Sequence, residues 1–202
     1  SFKVFEFLKT KWLVVVKVDK AQVITSYYID HPKYFFRNIS GYLKEKNFCN
    51  EVDGIQIDID NVKTIMVDMD EYVKANRGEV LKTVGVSTCT AVVATYPQKF
   101  GYMAHLSPYD KMYGQNSTNL LGNIIKKISF YDIYRYEQRK VNFIVIADHL
   151  NALENIINKL CSQGFLLEQI NVLYNSSARS VNVLYDYSKN LTYAQWIFDD
   201  KE

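Results

Sequence analysis

The hydrophobic residues of this 202-residue chain change period along its length, and that switch limits the possible architectures more than any other feature. The run NLLGNIIKKISFYDIY, residues 119–134, sets Leu120, Leu121, Ile124, Ile125 and Ile128 on one helical face. The run LNALENIINKLCSQG does the same through Leu150, Leu153, Ile156, Ile157 and Leu160, then stops at Gly164, a residue suited to a left-handed cap. Between and around them stand short β-branched runs: WLVVVKV, QVITSYYI, TAVVAT, YMAHL, VNFIVIAD, FLLEQINVLY and ARSVNVLYDY. A one-faced helix must be covered by another layer. The expected fold class is therefore α+β, with mixed or antiparallel β-sheet layers flanked by the helices at 119–134 and 150–163. The polar run NSSA is expected to be a turn joining the last two strands. Further upstream, PKYFFRNISGYLKEKN reads as a helix that starts after His31, with Pro32 in its first turn.

An apolar share of 48% supports one substantial core, and the length suits one large domain or a domain with an extension. Lys and Arg number 24 against 22 for Asp and Glu, so no broad basic field exists to gather phosphates, and nucleic acid is not an expected partner. The longest apolar run, WLVVV, is far below the roughly 20 residues needed to cross a bilayer, so no membrane span is expected. The chain begins at Ser1, and a signal or anchor ahead of that point is not visible, which leaves cytoplasmic and secreted locations both open. Cys49, Cys89 and Cys161 have no framework spacing, which favours free thiols; Cys49 and Cys161 read as small packing residues. GIQIDIDN alternates with period two and puts Asp58 and Asp60 on a solvated strand face; with Asp53 they lack the spacing of a calcium loop. His31 and His149 have no ligand spacing, and HExxH, CxxC and P-loop motifs are missing, so no metal and no cofactor is expected.

The remaining chemistry centres on Cys89 and His105. A nucleophilic cysteine needs a base for its proton and donors for the oxyanion that forms on attack at a carbonyl. The turn around Pro97 should fold YMAHL back on TAVVAT as a hairpin. With Thr95 opposite Tyr102, His105 would face Val92, leaving Cys89 about three steps, roughly 10 Å, too far along a straight strand. The expectation is therefore a bend or a helical turn over residues 87–90, with Gly85 supplying backbone freedom. A helical turn there would also favour the thiolate.

The run MVDMDEYVKANRGEVLKTVGVSTCTAVVATYPQKFGYMAHLSP resembles the chemoreceptor glutamine deamidases of bacterial chemotaxis, the CheD family. The family pattern is a Thr, then a Cys six residues later in a TLGLGSC-like run, then a strand, a turn and a GGMAH-like run holding a His. Here these are Thr83 to Cys89 (TVGVSTC) and Gly101 to His105 (GYMAH). The helix and strand at 119–147 look like the family's helix before its KIFGGA-like strand, and NVLYNSSARSVNVLYDY looks like its GGNYGRRVYFD-like end. Ser87 stands where glycine is usual, Thr88 where serine is usual, Tyr102 replaces the second glycine of GGMAH, and VIAD lacks the glycines of KIFGGA. The likeness covers about residues 64–195, so the chain divides into an N-terminal α/β extension, residues 1–60, and a CheD-like domain, residues 61–202.

The resemblance implies a protein-glutamine deamidase, an amidohydrolase that converts glutamine side chains of a target protein to glutamate through a thioester. Cys89 is then the nucleophile, His105 the base and Thr83 the residue that orients the imidazole. Ser87, Thr88 and Tyr102 are substrate or oxyanion candidates, and Tyr102, Tyr109 and Tyr113 could line a docking surface or simply pack. A neutral threonine supports an imidazolium less than a carboxylate does, so a weakly developed Cys–His ion pair is expected. The implied partner is a protein with an exposed glutamine, and a secreted chain of this kind would act as an effector or toxin. Two alternatives stay open: an inactive CheD-like binding module, and another cysteine hydrolase such as a protease or transglutaminase. Oligomeric state is not legible.

Overall fold

The computed structural model describes residues 2–7, 12–19, 22–29, 49–52, 62–108, 110, 119–130, 140–166, 169–175 and 177–199. The helix expected after His31, Asp53, Asp58 and Asp60, and Tyr109 and Tyr113 lie outside them.

Near the N-terminus β1 (Phe2–Phe7), β2 (Trp12–Asp19) and β3 (Gln22–Ile29) form an antiparallel meander. Val15 is its centre, opposite Val4 on one side and Tyr27 on the other. β2 and β3 are the two β-branched runs read as strands.

Ten further strands build two mixed sheets. One contains β6 (Glu71–Lys74), β8 (Thr90–Tyr96), β9 (Phe100–Leu106), β10 (Asn142–Ala147) and β11 (Ile170–Tyr174), in the order β11-β10-β8-β9-β6. The other contains β4 (Asn50–Glu51), β5 (Lys63–Met66), β7 (Glu79–Val86), β12 (Ser180–Asp186) and β13 (Leu191–Ile197), in the order β4-β13-β12-β7-β5. Parallel pairs occur at β10–β11, β5–β7 and β4–β13; the other pairs are antiparallel. Because β4 pairs with β13, the second sheet draws on chain that precedes residue 61.

The two described helices are α1 (Leu120–Phe130) and α2 (Leu150–Ser162). Asp110, itself buried, accepts hydrogen bonds from the backbone N–H groups of Leu120 at 2.8 Å and Leu121 at 3.4 Å, so its carboxylate satisfies the first donors of α1. At the other end of the pair, α2 closes in a Schellman arrangement. Phe165 N–H reaches Leu160 C=O at 3.2 Å and Gly164 N–H reaches Cys161 C=O at 3.0 Å, with Gly164 at φ 90° as its sequence position predicted. α2 is the crossover that makes β10 and β11 parallel.

The sheet holding β8 and β9 is the middle of three layers. On one face Val92, Ala94, Phe100, Tyr102, Ala104 and Leu106 pack with Leu121, Ile124, Ile128, Leu153 and Leu160 of the helices. On the other, Ala91, Val93, Met103 and Ile146 pack with Leu81, Val86, Val181 and Tyr185 of the second sheet. Every residue of β8 and β9 is therefore buried, which is why TAVVATY is apolar without alternation. Each fully buried aliphatic side chain here contributes about 1.5–3 kcal/mol, and an acidic residue at Ile124 would break the seam between helix and sheet. Cys161 packs against the helix-side core and Cys49 against the inter-sheet core, both as the sequence led us to expect.

One expectation is narrowed here. Among the described residues FLLEQINVLY contributes a strand at Ile170–Tyr174, and Phe165 packs into the core after the helix cap. NSSA is the polar connection between the two strands that the sequence led us to expect, and it carries the chain from one sheet to the other, since β11 pairs with β10 and β12 pairs with β7 and β13. A polar connection marks a change of direction and says nothing of which strand will be the neighbour.

Candidate active site

Thr83 and His105 reach each other from facing sheets. Thr83 is aimed inward by a β-bulge in β7: from Thr83 to Val86 that strand advances three residues, while β12 advances two, from Val183 to Val181. The extra residue is accommodated by Gly85 at φ 65°, with its N–H bonded to Asn182 Oδ1 at 3.0 Å. Three steps along a regular strand would turn Thr83 and Val86 to opposite faces. With the bulge both are fully buried, and Val84 is pushed out to 43% exposure.

The hydroxyl of Thr83 lies 2.7 Å from the carbonyl oxygen of Val67 and 2.8 Å from His105 Nδ1. A hydroxyl has one proton. The carbonyl cannot donate, so that proton goes to Val67, and the bond to the ring requires Nδ1–H to donate to Thr83 Oγ1. In the neutral ring this leaves Nε2 bare. Nε2 is buried and has no hydrogen-bond partner among the described residues.

His105 stands opposite Ala91, one residue away from the expected partner Val92. The cause is the turn. Lys99 N–H bonds to Tyr96 C=O at 2.9 Å, and Gln98 adopts φ 66° after Pro97, the arrangement of a type II turn. Tyr96 then pairs with Phe100, their rings edge-to-face at 5.8 Å. A slip of one residue reverses the faces. With the observed register His105 shares the inter-sheet face with Ala91, and Cys89, two residues before Ala91, is its diagonal neighbour on that face. Diagonal neighbours are about 7–8 Å apart at the backbone, and both side chains line the same pocket without a hydrogen bond between them.

Ser87 to Cys89 form a bend, and β8 starts only at Thr90, so the helical turn that would have favoured the thiolate is not formed. The bend is held by Ser87, whose hydroxyl donates to the Arg179 carbonyl at 3.0 Å. Among the described residues, the backbone N–H groups of Thr88 and Cys89 enter none of the turn and loop hydrogen bonds. Cys89, His105, Ser87 and Thr88 line one pocket of about 350 Å³, with Val67, Asp68 and Met69 on one side and Val84 and Gly85 on another. Tyr102 is not part of it. Its ring is 1% exposed and packs on the helix face of β9, between Phe100 and Tyr72, because residues 102 and 105 point to opposite faces. That candidate role is withdrawn.

Burial pushes the Cys89 thiol above its ordinary value; a hydrogen bond with Thr88 opposes this, and the charges of Asp70 and Asp148 add to it. Burial lowers His105, against the opposing pull of Asp70 and Asp68. Both net shifts favour neutral thiol beside neutral imidazole.

Asp70 and Asp148 were not singled out in the sequence. Asp70 takes φ 61° in the turn from Asp68 to Glu71, closed by Glu71 N–H to Asp68 C=O at 3.1 Å, and its own N–H bonds to the His105 carbonyl at 2.8 Å. Aspartate tolerates that conformation better than most residues. Asp148 follows β10, whose register places it level with Cys89; it is 4% exposed, and burial raises its carboxyl. The acidic spacing DMDE was the only available signal for Asp70; for Asp148 there was none. Among the described residues no group of three or more His, Cys, Asp and Glu could hold a metal ion, and no helix is long and apolar enough to cross a membrane.

No family model and no curated protein matches this chain. Among solved structures it is similar to the hypothetical protein YfiH of Bacillus licheniformis over 87% of this chain and 85% of that one, at 9% identity and a TM-score of 0.32. So low a likeness informs neither fold nor function.

Proposed function

We propose that the chain is a cysteine-dependent protein-glutamine deamidase of the CheD type, with the two packed sheets and their helices, β4 at Asn50–Glu51 included, as the catalytic domain and a protein bearing an exposed glutamine as substrate. The observation that supports this most is the Thr83–His105 hydrogen bond, which leaves a buried, partnerless Nε2 on the pocket that Cys89 lines. Cys89 Sγ attacks the carboxamide carbon as Nε2 takes the thiol proton. The amide C–N bond breaks, and the nitrogen leaves as ammonia with the proton that His105 returns. Water, deprotonated by Nε2, then attacks the thioester; glutamate is released and the thiol recovers its proton. The N–H groups of Thr88 and Cys89 face the oxyanion, and Thr83 holds the imidazole in the reactive tautomer.

The test is incubation with unfolded, glutamine-rich casein, reading ammonia release and glutamine-to-glutamate conversion by peptide mass. Conversion lost in Cys89→Ala is the expected result. Chain cleavage would move the site to a protease, and amine incorporation to a transglutaminase. No acyl product of any kind would overturn the hydrolase reading and leave a binding module.

A further inference from the structure

Carboxylates gather at the pocket, with His149 acting on one of them, Asp148. Asp68 lines it and is exposed; Asp70 follows two residues on in the same turn, its Oδ1 buried without a partner. Asp148 stands level with Cys89 at the end of the bend, and its Oδ1 is also buried and has no hydrogen-bond partner among the described residues. The charged groups that act on Cys89 are Asp70 and Asp148, and those that act on His105 are Asp70 and Asp68; among the described residues no cation joins them. Arg179, whose carbonyl receives the Ser87 hydroxyl, has its own guanidinium beside Asp199 at 3.6 Å. Two exposed apolar side chains, Met69 at 59% and Val84 at 43%, line the same pocket.

Carboxylates beside a nucleophilic thiol work against it, because negative charge opposes the thiolate and the oxyanion alike. That disadvantage disappears when a cation arrives with the substrate. We infer that the segment docking at Cys89 is basic: a glutamine flanked by lysine or arginine, with an apolar residue set against Met69 and Val84. The glutamine in this statement rests on the deamidase reading; the basic flanks rest on the charge of the pocket mouth alone. A flanking ammonium or guanidinium pairs with Asp68 and Asp70, strengthens binding, and removes the negative field from Cys89 as it docks, so the preference appears in kcat as well as in KM.

Two measurements on the full chain separate the parts. Cys89 is modified by methanethiosulfonates carrying a trimethylammonium, a methyl or a sulfonate group, and followed by peptide mass. The cationic reagent should outrun the anionic one by roughly tenfold at low salt, less as salt rises, and the ratio should fall toward one in Asp68→Asn/Asp70→Asn. Asparagine keeps the left-handed conformation accessible at position 70. Blocked pentapeptides with a central glutamine flanked by lysine, alanine or glutamate are then compared for ammonia release, with the lysine peptide expected to be fastest. Equal reagent rates, or a ratio unmoved by the double substitution, overturn the inference. An alanine or glutamate peptide as fast as the lysine peptide also overturns it while leaving deamidase activity standing. Inert peptides with an intact cation preference sink the deamidase reading instead and keep the basic docking segment.

Discussion

Thr83→Val removes one oxygen atom from a fully buried position and changes little else in volume. That oxygen accepts from His105 Nδ1–H and donates to the Val67 carbonyl, over 2.8 and 2.7 Å. His105 is 4% exposed, so water cannot easily replace the lost acceptor. A buried polar group left without a partner costs about 1–3 kcal/mol. The ring escapes that cost by moving its proton to Nε2, on the pocket that Cys89 lines, and then presents an N–H where the reaction needs a lone pair. Returning to the reactive tautomer costs the same 1–3 kcal/mol, which at 1.36 kcal/mol per tenfold slows kcat by about 5- to 150-fold. The Val67 carbonyl loses its donor in the same substitution, so the folded protein should lose about 1–3 kcal/mol of stability in urea unfolding. Thr83→Ser keeps the oxygen and loses only a buried methyl, at about 1 kcal/mol of stability, and should retain most of the rate. Nitrogen-15 shifts of the imidazole read the tautomer directly, and ammonia release reads the rate. A folded Thr83→Val protein with unchanged kcat, or a serine variant as slow as the valine one, would refute the tautomer argument.

Three further outcomes follow from the same geometry. The Cys89 thiol is raised, so its alkylation by iodoacetamide should reach half-maximal rate at a higher pH than an ordinary cysteine; Asp70→Asn removes a negative neighbour and should move that midpoint down, and an upward move would contradict the electrostatics. Asp148 also has a raised pKa, so the folded state holds its proton more tightly than the unfolded one and stability from this group falls as pH rises from the ordinary carboxyl range through the raised value; Asp148→Asn should therefore raise the urea midpoint more at pH 7 than at pH 4. A methyl on Gly101 would meet Tyr185 Cε1 of the facing sheet at 2.5 Å, whereas one on Gly85 meets nothing within 4 Å. Gly101→Ala should cost about 1–3 kcal/mol through a clash between sheets. Gly85→Ala should cost about 1–2 kcal/mol through its left-handed backbone alone, and Gly85→Asn should recover part of that, both read by urea unfolding.

The parts of the fold that local pattern controls were readable. Both helices, the cap at Gly164, the hairpin around Pro97 and the two N-terminal strands at WLVVVKV and QVITSYYI follow from period and turn chemistry over a few residues. So does the neighbourhood of Cys89 and His105, because a hairpin must bring its two arms together. β1, β4, β5, β6 and β13 were missed: strands of two to four residues at Asn50–Glu51, Lys63–Met66 and Glu71–Lys74 are too short for a period, Leu191–Ile197 mixes buried and half-buried positions, and Phe2–Phe7 was passed over.

By itself, then, the sequence determined an α+β chain with two one-faced helices, continuous apolar strands for a doubly covered sheet, and a cysteine and a histidine on the two arms of one hairpin. Tertiary structure decided the rest. Which face His105 occupies depends on a register set by one type II turn, and a shift of one residue would have pointed it at the helices. Whether Thr83 meets that ring depends on a bulge and on a second sheet whose strands come from distant parts of the chain. The carboxylates that oppose the thiolate reach it from the turn at 68–71 and from the end of β10, which no local pattern links to Cys89. Side-chain direction along a strand and adjacency between strands are set by long-range pairing, and composition, spacing and period carry only local information.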